Sequence, residues 1–212
     1  MKRNRTILSG MSDRELIALT QAENPDAFGV LFQRHSERLR STIYFLIKDR
    51  DKSLVDDLVQ DAFIKAQEAI MTKGYSERNS FGAWLARIGH NLAVDCLRRK
   101  GRGDKKVVCM SQLDARGGEY SYDEWHQLGS GSNREEEIVK DETIRMIEEL
   151  LEELSPDLRE TLILRYYAEL PYRDIADITD VSINTSLGRV RYSLKNLRKF
   201  LNMPKRAMRK AV

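Results

Sequence analysis

The chain is poor in the residues that staple, kink or catalyse. It has two cysteines, Cys96 and Cys109, and four prolines in 212 residues. Two cysteines cannot build a disulfide framework, so a reduced, cytoplasmic compartment is expected. The three histidines, His35, His90 and His126, are scattered. They offer no metal-ligand spacing, and no glycine-rich phosphate loop accompanies them, so neither a cofactor nor a catalytic residue is expected. No stretch approaches the roughly 20 apolar residues that span a bilayer, and no secretory-length apolar run follows the basic start. Membrane insertion is therefore not expected. Acid is missing from one place in particular. After Asp180 there is no Asp or Glu, while nine Lys or Arg follow.

What is present is charge and helical period. Charged residues make up 33% of the chain and apolar ones 41%, with little alternating β-branched pattern. An all-α fold follows: two small helical domains joined by a flexible linker, the C-terminal one containing a helix-turn-helix. The boundaries read from composition are a basic flexible tail over 1–11, a helical domain over 12–100, a linker over 101–136, a second helical domain over 137–201 and a basic tail over 202–212. The net charge of +3 matters less than its segregation.

The most informative stretch runs from Ser155 to Leu201. Ser155-Pro156 reads as a helix start. Pro171 marks a second start, with Asp174 in its first turn. Thr179-Asp180-Val181-Ser182 is the break, where Asp180 tolerates a left-handed conformation and Ser182 caps the third helix. In that helix Leu187, Val190, Leu194, Leu197 and Leu201 step by three and four, which predicts its buried side. At 3.6 residues per turn, Asn184, Thr185, Gly188, Arg191, Tyr192 and Lys195 fall on or near the other side. A polar, cationic face with a slim waist at Gly188 suits base edges and phosphates in a major groove.

Upstream, Ser12-Asp13-Arg14-Glu15 is a capping box opening a short helix to about Gln21. Asn24-Pro25-Asp26 breaks it. The next helix has Phe28, Leu31, Phe32, Leu39, Ile43 and Ile47 as its core stripe. A third carries Leu54, Leu58, Ala62 and Ala66 along one line, with an acidic edge of Asp56, Asp57 and Asp61 beside Gln60. From the residues alone that edge is a solvated face. The fourth helix starts at Phe81 and Trp84 and ends in Arg98-Arg99. Its buried side is Leu85, Ile88, Leu92 and Cys96, and Arg87, Asn91 and Asp95 are polar members. Aromatics followed by arginines fit single-stranded nucleic acid. They equally fit core anchors on a helix that ends in favourable charge. Residues 135–153 then carry nine acids, with Ile138, Ile144, Ile147, Leu150, Leu151 and Leu154 as a buried side expected to pack on the helix-turn-helix.

These residues resemble the sigma-70 family of sigma factors, in its compact extracytoplasmic-function class, over residues 13–201. One block holds Asp57-Leu58-Val59-Gln60-Asp61-Ala62-Phe63, Ala83-Trp84-Leu85, Asn91, Asp95 and Leu97-Arg98-Arg99. The other holds Pro156, Arg159, Leu164-Arg165-Tyr166, Tyr172, Asp174-Ile175-Ala176, Val181-Ser182, Thr185 and Arg189. The resemblance implies a bacterial, cytoplasmic, non-enzymatic subunit that directs core RNA polymerase to promoters. It implies that Asp56, Asp57, Leu58, Gln60, Asp61 and Phe63 bind core polymerase. The loop holding Lys73 and the helix with Phe81, Trp84, Arg87, Asn91, Asp95, Arg98 and Arg99 would open the minus-ten element and capture its melted non-template strand. The helix-turn-helix, through Tyr172, Asn184, Thr185, Gly188, Arg189, Arg191, Tyr192 and Lys195, would read the duplex minus-thirty-five element. An anti-sigma factor is an implied partner. Linker acids such as Asp114, Glu119, Asp123 and Glu124 would mimic nucleic acid along the polymerase's RNA path. Ser186, Leu187 and Gly188 depart from the family pattern, so no promoter sequence carries over. The alternative is a stand-alone helix-turn-helix regulator with an N-terminal sensing or dimerisation domain.

Overall fold

The computed structural model describes residues 7–47, 52–72, 74–75, 80–101 and 144–201, and no strand occurs among them. The linker expectation, apart from Gly101, lies outside the described residues, as do Lys73, Ile138 and the tail over 202–212. The N-terminal group comprises α1 (Asp13–Gln21), α2 (Pro25–Ile47), α3 (Lys52–Met71) and α4 (Phe81–Gly101). The C-terminal group comprises α5 (144–152), α6 (Pro156–Tyr166), α7 (Tyr172–Thr179) and α8 (Ile183–Leu201).

The capping box forms as its spacing predicts. Glu15 N–H donates to Ser12 Oγ, and Ser12 N–H donates to the Glu15 carboxylate at 2.7 Å. The preceding segment departs from the expected tail. Residues 7–9 are helical, and Leu8 is buried in the core shared by α1 to α4. A leucine that finds apolar neighbours outweighs the basic character around it.

Asp13 fastens α1 to α2. It accepts from Arg34 and from His35 Nε2, the latter at 2.8 Å. The His35 hydrogen bond is the main reason its carboxyl lies below the ordinary 3.8. An acid with a depressed folded-state pKa stabilises fully above its unfolded value, and loses that contribution as pH falls through the folded one. Urea midpoints of wild type and Asp13→Asn, taken from about pH 6 to pH 3, should therefore converge at the acid end.

Leu31, Leu39, Ile43 and Ile47 of α2 are buried, as the stripe predicts, with Phe28 and Phe32 packed beside them. α4 crosses α2 at Gly89, where a Cβ would come within 2.6 Å of Leu39 Cδ1. A glycine in mid-helix is otherwise unfavourable, and here it permits the close approach.

In the C-terminal group Leu151, Leu154, Leu162, Ile163 and Val190 form a core that joins α5, α6 and α8. Pro156 occupies the first turn of α6, but the Ser155 hydroxyl makes no cap hydrogen bond. Asp180 takes φ 52° and ψ 48°, the left-handed conformation expected of the break. Ser182 Oγ accepts from Thr185 N–H at 3.0 Å, capping α8 as predicted.

The buried side of α8 is turned from the leucine stripe. Ser186, Val190 and Ser193 are buried; Leu187, Leu194 and Leu197 are half-buried, and Leu201 is 58% exposed. Ser193 Oγ lies 2.8 Å from Arg189 O and 3.2 Å from Leu158 O. Small side chains on this line let α8 sit close on α6, which decides the face more than hydrophobicity does.

Candidate polymerase and promoter interfaces

Three helical stripes carry the candidate residues. On α3 the solvent side runs Ser53, Asp57, Gln60, Ile64, Gln67, Met71, alternating steps of four and three. Gln60 is exposed and Asp57 half-exposed. Asp56 is held by Arg40, and Asp61 is buried. Leu58 and Phe63, expected on the polymerase surface, are instead 3% exposed and belong to the core. Interleaving on a helix separates neighbours in sequence: positions 57, 60 and 64 face out while 58, 62 and 63 face in. The sequence reading missed Ile64 and Met71, exposed by 39% and 43%. Their four-residue step from Gln60 and Gln67 was the available signal.

On α4 the aromatics and the polar residues part company. Phe81 is 2% exposed, so it is a core anchor and not a stacking platform. Trp84 is half-buried, with its ring 4.7 Å from Tyr75 and 5.9 Å from Phe81. Arg87, Asn91, Asp95 and Arg98 are all exposed at steps of four, four and three, so they share one face, and Arg99 adjoins it. Arg98 reaches Asp95 at 3.9 Å.

On α8, Asn184, Thr185, Gly188, Arg191, Tyr192 and Lys195 are all exposed, on the side where helical spacing put the polar residues. Thr185 Oγ1 lies 2.8 Å from Ser182 Oγ, which orients it within the first turn. Ile183, 51% exposed, starts this face and was not singled out by period or charge. Two expected members lie elsewhere. Arg189 is half-buried and donates to Asp157 Oδ2 at 2.7 Å, tying α8 to α6. Tyr172 is half-buried under the Arg165 guanidinium, 4.8 Å from its ring centroid. Both therefore brace the helix-turn-helix.

Gly188 is open: a Cβ there would meet nothing within 4 Å. Gly188→Ala should therefore stabilise by about 1 kcal/mol through helix propensity alone. Thermal denaturation should show the C-terminal unfolding rise by about 4–8 °C.

No group of three or more potential metal ligands occurs among the described residues. Nor is any described helix long and apolar enough to cross a membrane.

Comparison with known proteins agrees with this geometry. The model of Sigma-70 region 2 matches residues 31–103, and that of Sigma-70 region 4 matches residues 144–201. The chain is 29% identical to the ECF RNA polymerase sigma-E factor of Escherichia coli K12 over 180 residues, covering 85% of this chain and 89% of that one. It is 27% identical to the ECF RNA polymerase sigma-E factor of Haemophilus influenzae over 180 residues, covering 85% and 90%. Among solved structures, CnrH in complex with the cytosolic domain of CnrY superposes with a TM-score of 0.57 at 25% identity, covering 90% of this chain and 97% of that one. The sigma factor RpoE of Bartonella quintana, in complex with the anti-sigma factor NepR, gives 0.58 at 24% identity, covering 84% and 98%. With both halves matched in order and each carrying an exposed polar stripe, the chain belongs to the sigma-70 family of RNA polymerase sigma factors, in its extracytoplasmic-function group.

Proposed function

We propose that the chain binds core RNA polymerase through the outer stripe of α3, reads the melted minus-ten element with the outer stripe of α4, and reads the duplex minus-thirty-five element with the outer face of α8. The observation that carries this reading is the segregation on α4 and α8. Each helix packs one side against its neighbours and leaves one continuous polar stripe in solvent, in the order of the two family blocks. On α3, Asp57 and Gln60 supply polar specificity, while Ile64 and Met71 supply apolar area for a partner helix laid along the stripe. On α4, Arg87, Arg98 and Arg99 hold backbone phosphates and Asn91 meets an unstacked base. On α8, Arg191 and Lys195 hold phosphates, while Asn184, Thr185 and Gly188 face base edges. The chain works as a binding subunit in the bacterial cytoplasm, without a catalytic residue or cofactor of its own. An anti-sigma factor is a partner of the chain, as NepR is of the sigma factor RpoE of Bartonella quintana in their complex.

Transcription from a genomic promoter library by core polymerase, with and without the chain, tests this. New defined start sites are expected. Tight duplex binding by the chain alone, with no new starts, would return the stand-alone regulator. The α3 assignment is tested by Asp57→Ala combined with Gln60→Ala. Affinity for core polymerase should fall roughly tenfold, with an unchanged melting temperature, because both side chains lie outside the core. Unchanged affinity would remove the stripe from the interface.

A further inference from the structure

α8 keeps a glycine where its own fold has no use for one. A glycine in mid-helix costs stability, through backbone freedom and poor helix propensity. At Gly89 that cost is offset by the close approach of α2, since a Cβ would come within 2.6 Å of Leu39 Cδ1. Gly188 is exposed, and a Cβ there would meet nothing within 4 Å. Among the described residues nothing fills that space. Gly29 of α2 is equally open, so openness alone assigns no partner. The surroundings do.

Ser186, Val190 and Ser193 mark the buried side of α8. Winding the helix at 3.6 residues per turn puts Gly188 on the opposite side, at the middle of the polar face. Asn184, Thr185, Arg191, Tyr192 and Lys195 surround it, and all five are exposed. Each projects further than a hydrogen atom, so Gly188 is the floor of a notch in a face that holds cations and no acid. The notch offers no hydrogen bond. Gly188 has no side chain, and as the sixth residue of α8 its amide lies past the four unpaired amides of a helix start. A phosphate or a polar base edge gains nothing there. An apolar group one carbon in size does. In the major groove that group is the 5-methyl of thymine, the apolar substituent that sets a T·A pair apart.

We propose that Gly188 is a specificity-determining residue: its notch receives one thymine methyl group, and through it the chain demands thymine at one position of the duplex element. The missing Cβ is a cost to the helix that the DNA contact repays. This inference rests on the promoter-reading role of α8 proposed above and adds a base preference to it.

Core polymerase carrying the full chain selects active templates from a library randomised over the upstream duplex element. The enriched duplex is rebuilt with each thymine in turn replaced by deoxyuridine, which removes only the methyl group. Binding of each duplex by the same holoenzyme is measured by competition. One replacement should lower wild-type affinity about fourfold, the effect of one buried methyl group. Gly188→Ala should lose at least about fivefold on the unmodified duplex, the effect of overpacking. It should regain that loss on the duplex lacking the same methyl, because its own methyl takes the vacated place. Gly29→Ala, a second open helical glycine away from α8, should match the wild type on every duplex, which separates the contact from a change in helix stability. Wild-type affinity for the unmodified duplex in Gly188→Ala, a loss that no single replacement relieves, or an enriched element with no methyl-sensitive thymine overturns the proposal and leaves the promoter-reading function standing. If the wild-type chain enriches no template, that function fails and the inference fails with it.

Discussion

Phe63→Ala is expected to destabilise the N-terminal domain by about 3–5 kcal/mol, the range for truncating a buried aromatic. Phe63 is 3% exposed, and its ring lies 4.5 Å from Phe32 and 6.1 Å from Phe28. Removing it takes away apolar burial and two ring contacts, and leaves a cavity between α2 and α3 that rigid helices cannot close. Urea unfolding followed by helical circular dichroism should show the loss directly. Polymerase binding by this variant should fall as well, but in step with the folded fraction. The Asp57 and Gln60 pair is expected to behave oppositely, losing affinity at constant stability. Both measurements on both variants separate a residue that builds the surface from residues that form it. A Phe63→Ala protein with native stability would show that the core of α2 to α4 repacks around the gap. It would also put Phe63 back among the contact residues.

The features legible in the sequence were those decided within one turn of backbone. The Ser12 to Glu15 box, the left-handed Asp180 and the Ser182 cap each depend on residues three or four apart, and each formed where expected. The exposed faces of α4 and α8 were legible for a related reason: a run of polar residues at helical spacing has nowhere to go but water. What was not legible depends on partners distant in the chain. Arg189 looked like a groove residue until Asp157, thirty-two positions away, took its guanidinium. Phe81 and Trp84 fitted base stacking and core packing equally well; the neighbouring His35 and Tyr75 rings decided toward packing. The face of α8 followed the small Ser186 and Ser193 instead of the leucines, because α6 must approach closely there. The buried contact between α4 and the C-terminal group escaped notice because alanines carry little signal. Ala83 and Ala86 matter through the room they leave for Leu164 and Ala168.

Replacing both Arg191 and Lys195 with alanine should weaken duplex binding through α8 roughly fiftyfold at about 0.1 M salt. Each phosphate contact contributes about 0.9 to the slope of log affinity against log salt, hence about 0.9 decade at that concentration relative to 1 M. Two contacts give a slope smaller by about two. Both side chains are exposed on the polar face of α8, four residues apart, Arg191 about one turn and Lys195 about two turns beyond Gly188, a spacing with which they would meet neighbouring phosphates while Asn184 and Thr185 approach the bases. The helix should survive, because alanine is the best helix former and neither side chain is buried. A fluorescence-anisotropy titration at several salt concentrations reads affinity and slope together. Arg189→Ala is the control. It loses its ion pair to Asp157 and some stability, but it should leave the slope unchanged because that guanidinium is already committed to α6. If Arg189→Ala flattens the slope and the double substitution does not, the DNA-facing side of α8 is the opposite one. The exposed stripe of Asn184, Gly188, Arg191 and Lys195 would then have to be assigned to another partner.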